Sequence, residues 1–169
     1  MFIYQSSFSK ETKQTLDKIK NLFDVLPPHW ELLDSIAPKR FEMFMQEINY
    51  LLNHPNINPD LFAMLRLHVA NKENFSYCKS FNTKLLLSKG YDKTAIKELQ
   101  ENIGTIPLDD RHKLLAQKAV KAMYQPTKFT IEDIKALQNT SWSDSDIYDA
   151  IDHAAFLFKF ARIIQAYNA

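Results

Sequence analysis

The stretch NFSYCKSFN, residues 74–82, holds Cys78, the only cysteine of the chain. On a helix, residues three and four apart share a face, so Phe75, Cys78 and Asn82 line up, with Tyr77, Phe81 and Leu85 on a neighbouring stripe. A thiol near a helix start has its pKa lowered by the helix dipole, and a C-x-x-C site sets two such thiols one turn apart. With one thiol, oxidation to sulfenic acid is open to Cys78, but no intramolecular disulfide can recycle it, so turnover would need an external thiol. Asn82 can hydrogen-bond a thiol or a ligand and cannot take up a proton at neutral pH. The plainer reading is that a lone cysteine on an apolar helical face is a small buried hydrophobe, with Asn82 satisfying a neighbouring backbone group.

Other ionisable residues around this stretch are sparse. His68 lies one helix earlier and could face Cys78, though off the stripe of Ala63, Arg66, Leu67 and Ala70. Arg66 could bring positive charge near the thiol, or serve as an exposed or inter-subunit salt-bridge partner. His29, His54, His112 and His153 are scattered without H-x-x-x-H or H-E-x-x-H spacing, and one cysteine cannot make a multi-Cys zinc site, so no metal and no cofactor is expected. The aromatic run from Phe156 to Phe160, with Tyr148 and Tyr167, reads as core or oligomer packing.

The elements that must position these residues read as helices throughout. Only two glycines occur, Gly90 and Gly104, and the prolines fall between apolar-periodic segments. Ser9 caps a first helix running to Pro27-Pro28, and a short one follows around Trp30 to Ile36. Phe41, Phe44, Met45, Ile48, Leu51 and Leu52 mark a helix after Pro38, and Asn58-Pro59 opens another with Leu61, Phe62, Leu65, Val69 and Ala70 buried. Asn74 is expected to cap the motif helix, about residues 74–89, which Gly90 ends in a left-handed conformation. Asp92, Asp109, Thr130 with Asp133, and Ser143 open the remaining helices, the last running over about 143–168 with an apolar surface wider than one core face needs. The expectation is all-α: a single-domain bundle of eight or nine helices over residues 1–169.

Twenty-one Lys and Arg against twenty Asp and Glu leave a net charge of +1 with no run of like charge, which gives no sign of a nucleic-acid or polybasic membrane surface. The start MFIYQSSFSKETK lacks a basic and then apolar leader, no stretch approaches the roughly 18 to 20 apolar residues of a membrane span, and a cytoplasmic protein is expected.

The segment LFAMLRLHVANKENFSYCKSFNTKLLLSKGYDKTAIKEL resembles the core of the carboxymuconolactone decarboxylase and alkyl hydroperoxidase D (AhpD)-like superfamily, whose pattern is an acidic residue, a V-A pair, C-x-x-C, and His four residues on. Val69-Ala70 matches the pair, Tyr77-Cys78 matches the end of the dithiol motif, and Gly90 followed by a helix matches the continuation. LFDVLPPHWELL resembles the family's opening segment, and WSDSDIYDAIDHAAFLFKFARIIQAY its closing helix, with Arg162 where an arginine is common. Three of the four catalytic positions differ: Ala63 stands for the acid, Phe75 for the first cysteine and Asn82 for the proton-relaying histidine.

The resemblance implies an AhpD-like fold, a homo-oligomer, and a site in which Ala63, Arg66, Phe75 and Tyr77 line the surroundings of Cys78. Three functions follow from it. The first is a member without dithiol peroxidase cycling that binds a small ligand or a partner. The second is an antioxidant single-cysteine peroxidase, of peroxiredoxin type, with Cys78 attacking peroxide and Asn82 and His68 polarising it. The third, with the least support, is a lactone decarboxylase.

Overall fold

Proline and short polar side chains set where the helices begin. The computed structural model describes residues 13, 14, 16, 17, 21 and 28–167; residues 28–167 form eight α-helices and two short 3₁₀ turns, with no strand among the described residues. The predicted helix capped at Ser9 lies largely outside them; Lys13, Gln14, Leu16, Asp17 and Asn21 within it are helical, and Leu16 is buried.

Helix α1 (Pro28–Ile36) and α2 (Pro38–Leu52) both start on proline, whose fixed φ suits a position where the amide has no helical partner. In α3 (Pro59–Lys72) the Asn58 side chain accepts from the Asp60 amide at 2.9 Å. Helix α4 (Ser76–Ser88) carries the cysteine. Asp92 caps α5 (Lys93–Glu101), accepting from Thr94 N at 2.7 Å, and Asp109 caps α6 (Asp110–Tyr124), accepting from His112 N at 2.9 Å. Helix α7 (Ile131–Gln138) opens on the Thr130/Asp133 capping box. Ser143 and Asp146 make the equivalent exchange at the start of α8 (Asp144–Tyr167), Ser143 N donating to Asp146 Oδ2 at 2.8 Å and Asp146 N to Ser143 Oγ at 3.1 Å.

One expected cap is different. Asn74 does not cap α4; it closes α3, with φ of 57°, while Phe75 stands at the N-cap of α4. Asn74 N donates to Asn71 O at 3.3 Å and Phe75 N to Ala70 O at 2.9 Å, the paired bonds of a Schellman motif with asparagine in the left-handed place usually held by glycine. Gly90 does the same for α4, as expected, with φ of 87° and bonds from Gly90 N to Leu87 O and Tyr91 N to Leu86 O. Replacing Asn74 by Ala is expected to cost about 1 kcal/mol and by Gly close to nothing, because only the side chain's tolerance of positive φ differs. Thermal unfolding of the two variants checks it.

The chain divides into two compact units, residues 1–53 with 158–169, and residues 54–157. In the first, the rings of His29, Trp30, Phe44 and Phe160 form an aromatic core, with His29 and Phe160 centroids 4.5 Å apart and Phe44 and Phe160 5.4 Å apart. In the second, α3 is buried on nearly every side, from Leu61 through Leu65 and again from Leu67 through Ala70, and packs chiefly against α4 and α5. A helix apolar all round is a central one, and only Arg66 interrupts the run.

Candidate functional site

The central position of α3 decides the surroundings of Cys78. Cys78 occupies the third residue of α4, is 8% exposed, and is a free thiol. One turn on, Asn82 is buried and uses both ends of its amide: Nδ2 donates to the Cys78 carbonyl at 2.8 Å, and Oδ1 accepts from Arg66 Nε at 2.9 Å. Arg66 reaches on to α8, its Nη1 donating to His153 Nε2 at 2.6 Å. Since a guanidinium only donates, His153 Nε2 is the unprotonated nitrogen and the ring is neutral. The ring lies stacked on Phe156, centroids 5.2 Å apart, and edge-on to Phe62 at 4.9 Å.

A polar chain therefore runs Cys78 carbonyl, Asn82, Arg66, His153. Arg66 is only partly exposed, which corrects the expectation of an exposed side chain. With an all-buried helix around it, the guanidinium turns to the two neutral acceptors in reach.

The charges act on one another as burial dictates. Burial pushes the Cys78 thiol up to about 11, with the positive charge of Arg66 opposing more weakly. Burial likewise lowers the Arg66 guanidinium to about 10, partly offset by Cys78. Desolvation outweighs the charge of Arg66, so the thiol stays protonated where an exposed helix start would favour a thiolate. Phe75 offers no side-chain acceptor to the start of that helix.

His68 is held elsewhere. Its Nδ1–H donates to Leu99 O on α5 at 2.9 Å, and burial lowers its pKa, so the imidazole is neutral. His54 and His112 secure the loop before α3. His54 Nδ1 accepts from the amides of Asn56 and Ile57 at 3.2 and 2.9 Å, while its Nε2–H donates to Asp149 at 3.2 Å. His112 Nε2 accepts from Asn58 N at 3.1 Å and its Nδ1–H donates to Asp109 at 2.8 Å. No group of three metal-ligating side chains forms among the described residues.

Of the residues singled out in the sequence, Cys78, Asn82 and Arg66 are linked. Phe75 is half-buried at the helix cap and Tyr77 half-buried beside Cys78 in sequence, while Ala63 is fully buried on α3, one turn before Arg66. His153 is the participant that sequence reasoning missed. Its signal lay in the spacing of Ala150, His153, Ala154 and Leu157, a buried stripe with one polar member.

The described helices make up an all-helical AhpD-like fold. Solved structures carry the same fold. An uncharacterized peroxidase-related protein from Silicibacter sp. TM1040 matches with a TM-score of 0.78 at 18% identity, over 96% of this chain and 85% of that one. An alkylhydroperoxidase AhpD core, an uncharacterized peroxidase-related protein from Ralstonia eutropha JMP134, matches with a TM-score of 0.76 at 15% identity, over 96% of this chain and 88% of that one. No family model matches the sequence, and no curated protein matches it significantly. No helix among the described residues is long and apolar enough to cross a membrane.

Proposed function

We propose that this chain is an AhpD-like superfamily member that has left the dithiol peroxidase cycle and uses the altered motif to bind a small ligand beside Cys78. The observation that carries the reading is the state of that thiol. It is buried, raised to about 11, and followed one turn later by an amide where the resemblance calls for a base. At pH 7 such a thiol holds about one thiolate in 10⁴, against a few in 100 for free cysteine. Without a second cysteine, any sulfenic acid formed would wait for an outside reductant.

The single-cysteine peroxidase reading draws on the charge of Arg66, which favours the thiolate. One measurement decides between the two. Oxidation of Cys78 by hydrogen peroxide and by an organic hydroperoxide, followed by intact mass in native protein and in Cys78→Ser, is expected to run no faster than oxidation of free cysteine. Rapid oxidation that disappears in Cys78→Ser would establish the peroxidase instead. Self-association belongs to the same proposal, and the exposed Met43, Tyr50 and Leu52 of α2 support it.

A further inference from the structure

Arg66 is a cation that the described residues leave without an anion. Its Nε–H goes to the amide oxygen of Asn82 and its Nη1–H to the ring nitrogen of His153, both neutral acceptors. Among the described residues no carboxylate lies within ion-pair distance of it. Charges carried into a protein interior are ordinarily matched by opposite ones, because neutral hydrogen bonds repay only part of the lost hydration.

The remaining donors are placed for a visitor. Nη2 carries two N–H groups with no hydrogen-bond partner among the described residues, and it is not one of the atoms sealed from solvent. His153, which holds Nη1, is itself fixed by stacking on Phe156 and by an edge contact to Phe62. A carboxylate carries the single negative charge that would match Arg66 and accepts hydrogen bonds from Nη2. Burial lowers the guanidinium pKa to about 10, with no carboxylate opposing the shift.

We propose that Arg66 anchors a site for the carboxylate of a small organic acid, held by Nη2 and oriented through the Asn82 and His153 contacts that fix the guanidinium. This deepens, and rests on, the reading of the motif as a ligand site. Asn82 and His153 are positioning residues in it. A phosphate dianion carries more charge than Arg66 neutralises, so it is expected to bind less well.

The test titrates the full-length chain with acetate, benzoate and inorganic phosphate, read by calorimetry and by the Nε–H resonance of Arg66. Benzoate or acetate is expected to bind, to shift that resonance, and to bind at least about tenfold more tightly than phosphate. Arg66→Gln is expected to weaken the carboxylate at least about tenfold. Asn82→Asp supplies Arg66 with an internal carboxylate and is expected to weaken binding similarly, so the proposal remains exposed to test if Arg66→Gln fails to fold. Absence of carboxylate binding to the native chain, equal binding by either folded variant, or preference for phosphate would overturn it. Rapid peroxide oxidation of Cys78 in the same preparation would overturn the parent reading, whereas an inert Cys78 with no carboxylate binding would remove this inference alone.

Discussion

Asn82→Ala is expected to lower the free energy of unfolding by about 3 kcal/mol, the largest effect of any single truncation around Cys78. Asn82 is 2% exposed, so water does not readily replace what its side chain supplies. Alanine removes the acceptor of the 2.9 Å bond from Arg66 Nε and leaves a donor of a mostly buried cation without a partner. A hydrogen bond to a charged group is worth about 1.5–3 kcal/mol, and the small cavity adds to the loss. Arg66→Met should cost less, even though it orphans both Asn82 Oδ1 and His153 Nε2, because it also removes a cation whose desolvation burdens the native state. Urea unfolding followed by the helical circular dichroism signal should show a lower midpoint with unchanged slope for Asn82→Ala. A loss below about 1 kcal/mol would mean that the Arg66 contact contributes little to folding.

The same two residues mark how far a sequence can be read. Helix starts were legible at Asn58, Asp92, Asp109, Thr130 and Ser143, because a cap is a local event in which one side chain meets amides two or three residues on. Asn74 is ambiguous in sequence, since asparagine suits both a helix start and a left-handed helix end, and only the bonds to Asn71 and Ala70 distinguish them. The side of α4 that holds Cys78 and Asn82 followed from helical spacing. The role of Arg66 did not, because an arginine is ordinarily a surface residue and its environment here is set by α3 being enclosed on other sides. His153 lies 87 residues from Arg66 in the chain, a separation that no local pattern spans. What hid the link was therefore its tertiary character, with polar groups from three helices far apart in the chain meeting at one place.

Alkaline pH should expose the burial of Cys78 as a loss of stability that Cys78→Ser lacks. Below about pH 9 the thiol is protonated in both the folded and the unfolded chain, so it contributes no pH dependence. Between about 9 and about 11 the unfolded chain gives up the proton while the folded one retains it, and the unfolded state gains. The stabilisation is thus complete below the unfolded pKa and is lost as pH rises through the folded value. A shift from 9.0 to about 11 corresponds to about 3 kcal/mol at most, as an order of magnitude for a group with little solvent contact. Tyr91, raised to about 12 by burial and by its bond to Asp60, adds a slope of the same sign at still higher pH. That slope is common to the native chain and Cys78→Ser, so it cancels in their difference. Urea unfolding of both at pH 8, 9, 10 and 11 should show the native chain falling relative to the variant by about 2–3 kcal/mol across the series. Curves that stay parallel would place the thiol in contact with water or with enough positive charge to ionise normally, and the peroxidase reading would regain its ground.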